Sequence, residues 1–196
     1  ISKVTEFGAF FELEQEEGLK QYGPSKEHRP NPIVQMGLFM DGDGIPLAFC
    51  INPGNTNEQL TLRPLEQQII TDFGKSKFVI CTDAGLSSNA NRKFNSIQDR
   101  AFITAQSIKK MTSFQKEWAL NNEGWRAPNS SKTYTLEEIK ENREKYEDIT
   151  FYKDNIYNDN GLYQRYIVTF SIKYMDYLKN IREKQIQRAQ KIIDSG

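Results

Sequence analysis

Apolar residues in the first half of the chain fall in short β-branched or aromatic runs bounded by turn residues. "IVQMGLFMD" lies between "NP" and "DGDG", and "IPLAFCINP" follows the same turn, so the two read as a hairpin. "AFFELEQ" reads as the tail of an earlier strand. The opening "ISKVTEFG" leads clearly into no element, so 1–8 reads as a linker or cloning scar. "KFVICTD" is almost continuously apolar, the mark of a strand covered on both faces, and "AFITAQS" is a fifth strand. Between these runs the period lengthens. In "GNTNEQLTLRPLEQQIITDFG" an apolar face is made by Leu60, Leu62, Leu65, Ile69 and Ile70. Thr56 with Gln59 fits a capping box, Pro64 marks the first regular turn at N1 or a kink, and Gly74 stops the helix. "SSNANRKFNSIQ" is a helix capped by Ser87 or Ser88. A hairpin passing into crossover helices predicts a mixed α/β sheet flanked by helices, occupying 9–107.

From Ile108 the pattern turns polar with scattered aromatics. "KKMTSFQKEWAL" is a short amphipathic helix, "NNEGWRAPNSSK" a loop, and "YTLEEIKENREKYED" a charged helix with Thr135 and Glu138 as its capping box. "ITFYKD" is a strand and "NIYNDNG" a turn, so 108–161 reads as an insertion. "LYQRYIVTFSIKY" returns to strand character before a long helix from about Met175 to Asp194, which makes 162–196 a strand plus a basic C-terminal helix.

Composition narrows the class. Hydrophobic residues are 37% and charged residues 27% of 196, as in an ordinary soluble globular chain. No apolar run approaches the ~20 residues of a membrane span and no signal-peptide pattern opens the chain, so a membrane is not an expected partner. The 26 basic and 26 acidic residues cancel, which argues against holding nucleic acid by bulk charge alone. Cys50 and Cys81 sit in strand-like runs and read as buried reduced thiols of a cytoplasmic protein. The single His28 leaves no zinc cluster and no Ser-His-Asp machinery.

Asp83 ends the fourth apolar run, in "FVICTDAGLSS". Taken alone, an Asp between a strand and a Gly is a turn former or cap. Its context is longer, however. "YGPSKEHRPNPIVQMGLFMDGDGIPLAFCINPGNTNEQLTLRPLEQQI" followed by "FVICTDAGLSS" resembles the catalytic core of DDE transposases of bacterial insertion sequences, in the IS-four-like group. The resemblance runs closely from Phe10 to about Lys110 and more loosely beyond. It implies an RNase H-like fold with strand order 3-2-1-4-5 and an inserted subdomain. It implies an enzyme that cleaves transposon ends and transfers strands by two-metal phosphoryl transfer, with Mg²⁺ or Mn²⁺ held by Asp, Asp and Glu. Asp83 matches the second acid, hence a catalytic and metal-binding residue. The implied partner is DNA, both transposon ends and target, and a homo-oligomer is compatible with the reading. The implied place is the bacterial cytoplasm, at the nucleoid when acting.

The pattern departs from that family twice. Counting back from Glu12 puts Thr5 where the first Asp belongs, with Glu6 beside it on the opposite strand face. The nearest match to the third acid's helix offers Tyr177, Arg182, Glu183 and Lys191 at the wrong spacings. The chain therefore reads as a fragment or a decayed gene's product that binds no metal by itself. Two further readings stand beside it, a catalytically dead DNA-binding or dimerisation module and a metal-dependent nuclease of the same fold. Lys26, His28 and Arg29 in a proline-bounded loop, and Lys109 and Lys110 after the fifth strand, are the candidate DNA contacts. Asn55 and Thr56 lie near the same end of the sheet or cap the next helix. Trp118 and Trp125 more often anchor a small core than stack on a base.

Overall fold

The computed structural model describes residues 2–10, 16–24, 31–74 and 77–195, the first group by its backbone alone. The chain divides into two units, Ile1–Lys110 and Met111–Gly196. The protein is mixed α/β, with one sheet in each unit.

In the first unit, β1 (Ser2–Phe10), β2 (Ile33–Met40), β3 (Pro46–Pro53), β4 (Val79–Thr82) and β5 (Ala101–Thr104) form a sheet of order β3-β2-β1-β4-β5. β2 is antiparallel to β1 and to β3, whereas β4 is parallel to β1 and β5 to β4. The assignment of 1–8 to a linker or scar is corrected: most of that stretch is the central strand. Its local signal is weak because its large apolar residues, Val4, Phe7 and Phe10, recur every third position instead of alternating. Pairing on both sides, with β2 over eight positions and with β4, decides its structure. At the β2–β3 turn, Asp41 Oδ1 accepts hydrogen bonds from the backbone N–H of Asp43 (3.0 Å) and Ile45 (2.9 Å), so one side chain does the work of a turn.

Helix α1 (Leu62–Phe73) lays Leu62, Leu65 and Ile69 on Phe39 and Ile80, with Leu86 completing the core. Burying each such side chain stabilises the fold by about 1.5–3 kcal/mol. Pro64 is the third helical residue, not N1. It is tolerated there because the first four N–H groups of a helix have no intrahelical acceptor. Nor does Thr56 make the cap: Asn57 Oδ1 accepts from the Gln59 N–H at 3.0 Å and starts a 3-10 turn, Glu58–Leu60, ahead of α1. Of the two serines, Ser88 caps α2 (Asn89–Phe94).

The second unit contains α3 (Ser113–Leu120), β6 (Trp125–Arg126), β7 (Thr133–Tyr134), α4 (Leu136–Glu141), α5 (Arg143–Tyr146), β8 (Phe151–Asp159), β9 (Leu162–Phe170) and α6 (Ile172–Ser195). Its sheet runs β7-β6-β8-β9, antiparallel throughout. The division into an insertion over 108–161 and a separate segment over 162–196 does not follow this architecture. β8 and β9 pair at nine positions, so Leu162–Phe170 belongs with Phe151–Asp159. Only Asn160 and Gly161 of "NIYNDNG" form the turn, with φ of 51° and 83°, the type I′ geometry that joins two strands through two residues. Gly161→Val puts a β-branched residue at positive φ and is expected to lower the unfolding free energy by about 1–2 kcal/mol in urea titrations.

The charged helix is two pieces, because the Asn142 side chain donates to the Glu138 carbonyl at 2.9 Å and competes with helix continuation. Thr135 caps α4 as expected, accepting from the Glu138 N–H at 3.1 Å. A capping box with both halves formed lies at Thr112 and Gln115. The core of this unit is Trp125, Ile139, Tyr146, Phe151 and Ile172, with Tyr146 edge-on to Phe151 at 5.5 Å.

Candidate functional site

β3 is antiparallel to β2, and β2 to β1, so β1, β3, β4 and β5 all point the same way. Their C-terminal ends share one edge of the first sheet, where loops can build a site on a rigid support. The loop after β3 carries Asn55, Thr56 and Glu58, that after β4 carries Asp83, and that after β5 carries Lys109 and Lys110, both exposed. Topology thus brings Asp83, Lys109 and Lys110 to one end of the sheet. Lys26, His28 and Arg29 lie outside the described residues, as does Glu12. The chain just before that loop is anchored at the same end. Gln21 and Ile33 exchange backbone hydrogen bonds at 3.1 and 3.0 Å, and the Gly54 N–H donates to the Leu19 carbonyl at 3.2 Å.

Asp83 is exposed, and its Oδ1 accepts from the Gly85 N–H at 2.8 Å, capping a 3-10 turn, Ala84–Leu86. Its carbonyl accepts from Thr104 Oγ1 at 3.0 Å, and that hydroxyl accepts in turn from Thr82 Oγ1 at 3.0 Å, which ties the ends of β4 and β5. A second carboxylate stands close by. A Cβ built on Gly85 would lie 3.0 Å from Asp83 Oδ1 and 3.2 Å from Glu58 Oε2, so both acids border the same gap.

Buried Asn91 holds these two loops together. Its Nδ2 donates to the carbonyls of Gln59 and Leu86, both at 3.0 Å, while the Ser88 N–H donates to Gln59 Oε1 at 2.8 Å. Sequence reasoning missed Glu58 because an acid just after a capping Asn reads as a helix-start residue. Its closeness to Asp83 depends on a clasp between distant loops.

The β1–β4 register pairs Ser2 with Ile80 and Lys3 with Cys81. That pairing ends two residues short of Thr5 and of Asp83, and Asp83 follows the last residue of β4. Extended by two residues, the same register would set the backbone of Thr5, where the resemblance demands an acid, level with Asp83. Glu183, with Tyr177 and Arg182, is on α6 in the second unit. Among the described residues no group of three or more His, Cys, Asp or Glu side chains could hold a metal ion. Two hard cations need more oxygen donors than Asp83 and Glu58 supply, so the described residues do not fit a two-metal centre.

Trp125 is buried in the second core, edge-on to Phe170 at 5.8 Å, so it anchors that core and offers no face to a base. The Lys153 ammonium lies 4.6 Å from the Trp125 ring centre and 5.7 Å from that of half-buried Trp118, and donates to the Asn121 carbonyl at 2.7 Å. Burial lowers the Lys153 pKa from its ordinary value. Cys50 and Cys81 are free and half-buried. Among the described residues no helix is long and apolar enough to cross a membrane.

Comparison with protein-family models, curated proteins and solved structures finds no match to this chain.

Proposed function

We propose that the chain is the core of a DNA transposase of the DDE class, with an RNase H-like first unit that holds DNA at the C-terminal edge of its sheet. The observation that carries this reading is the end of β4: Asp83 follows a strand paired in parallel with β1 and β5, and Lys109 and Lys110 follow β5 at the same end of the sheet. The loops containing "PGNTNE" and "DAGLSS", central to the resemblance, are hydrogen-bonded to each other there. The residues' own part is to position DNA, since lysines contact phosphates without reading sequence. Threonine at position 5 favours a second reading, a DNA-holding or dimerisation module that does not cleave. A nuclease of the same fold would cut without rejoining.

The test is fluorescence anisotropy on duplex DNA, beside a nicking assay with Mn²⁺. The chain is expected to bind duplex DNA and to leave it uncut. Lys109→Glu with Lys110→Glu should weaken binding roughly tenfold or more at low salt and reduce the salt slope by about 2. Thr5→Asp should introduce Mn²⁺ binding visible by calorimetry. No binding to any duplex would remove the DNA reading, and cleavage by the unaltered chain would mean that other acids do the chemistry.

A further inference from the structure

We infer that β9 is a pairing edge through which two copies of this chain join antiparallel, extending the second unit's sheet across a two-fold axis. β9 is the outer strand of that sheet, nine residues long, and its register with β8 runs without a bulge. Because the turn has two residues, Asp159 and Leu162 form its hydrogen-bonded closing pair. Along β9 the backbone groups of Leu162, Gln164, Tyr166, Val168 and Phe170 therefore face β8. Those of Tyr163, Arg165, Ile167 and Thr169 face away from it, and these four residues are the exposed ones. Tyr163 is 74% and Ile167 57% exposed.

A natural edge of this length is usually blunted by charged side chains, proline or a bulge; β9 has no proline and no bulge, and its one charged residue, Arg165, is ion-paired to Asp154. The residues around it suit a protein partner better than nucleic acid. Ile156 opposite Arg165 is 65% exposed, while Arg126 and Arg165 are both ion-paired to Asp154. The edge thus offers tyrosine and ion-paired arginine, types enriched at protein interfaces, beside exposed apolar isoleucine.

The occupant that fits is the same strand. An antiparallel β9 pair centred on Tyr166 sets Arg165 against Ile167 of the second copy and Tyr163 against Thr169. Every outward N–H and C=O then meets its complement, and no arginine faces its own copy. This inference stands apart from the DNA reading, since it uses only the second unit.

Sedimentation of the full chain from about 1 to 200 μM reads the association. The unaltered chain is expected to show a concentration-dependent dimer. Hydrogen exchange should then slow at Tyr163, Arg165, Ile167 and Thr169 relative to the monomer. Ile167→Lys, at an exposed side chain, should weaken dimerisation roughly tenfold or more, with the unfolding midpoint unchanged when read at concentrations where both proteins are monomeric. Ile193→Lys, on the exposed apolar stripe of α6, should leave the dimer intact. A monomer throughout that range overturns the inference. So does a dimer indifferent to Ile167→Lys, or one dissolved by Ile193→Lys alone, which would place the contact on α6.

Discussion

Gly54→Ala is expected to cost the first unit about 3–5 kcal/mol, enough to abolish its cooperative unfolding near neutral pH. A Cβ at Gly54 would stand 2.2 Å from the Ile33 carbonyl oxygen and 2.4 Å from that of Gln21. Both are backbone atoms, and they belong to the two hydrogen bonds joining Gln21 to Ile33. Relief therefore requires moving one strand end by most of an ångström. That breaks those bonds and the one from Gly54 to Leu19, each worth about 0.5–1.5 kcal/mol, and leaves buried polar groups unpaired. The comparison variant is Gly85→Ala, whose new methyl meets the end of the Glu58 side chain, which can turn away, and Asp83 Oδ1, which need give only a few tenths of an ångström while it keeps its bond to the Gly85 N–H. It should cost less than about 1 kcal/mol. Both tryptophans, Trp118 and Trp125, lie in the second unit, so their fluorescence follows that unit alone while circular dichroism follows both. In Gly54→Ala the fluorescence transition should persist as the dichroism loses amplitude. Equal costs for the two alanines would show that the backbone interlock at Gly54 is absent.

The β2–β3 hairpin could be read in the sequence because "DGDG" carries its own turn chemistry, which Asp41 supplies within four residues. α1 could be read from its apolar spacing, but its start could not. The cap moved to Asn57 and Pro64 to the third position because the 3-10 turn before the helix is held at Gln59 by hydrogen bonds from Ser88 and Asn91. β1 was hidden for a related reason: its large apolar residues fall every third position, off the period of a strand, and its partners lie far along the chain. β8 likewise runs on through Asn155 and Asn158, residues that avoid strands, because nine pairs with β9 outweigh their preference. At the candidate site, Asp83 was visible as the end of an apolar run. Glu58 was not, since the two loops are brought together by hydrogen bonds from Ser88 and Asn91, far along the chain. Lys109 and Lys110 were legible as charges but became part of a site only when the strand directions were known.

The least legible residue of the first unit is Glu66, and it should dominate that unit's response to pH. It occupies a core position of α1, one residue after Leu65 and three before Ile69, and is 0% exposed. Its Oε1 accepts from Asn95 Nδ2 at 2.8 Å, but its buried Oε2 and the Asn95 Oδ1 have no hydrogen-bond partner. Burial pushes the carboxyl up from 4.5 to about 7, against the pull of the Asn95 hydrogen bond and the charges of Arg100 and Arg63. The folded state therefore binds this proton more tightly than the unfolded chain does. The stability it confers is complete below pH 4.5, declines as pH rises, and is gone above about 7. The decline is on the order of 3 kcal/mol. Glu66→Gln keeps an oxygen for Asn95 and is neutral throughout. Measured by urea unfolding followed by circular dichroism, the stability difference between Gln and Glu proteins should shift toward Gln by that amount between pH 4 and 8, and then level off. Parallel pH profiles for the two proteins would mean that Glu66 titrates as an ordinary solvated acid, and that α1 does not bury it against Asn95 in solution.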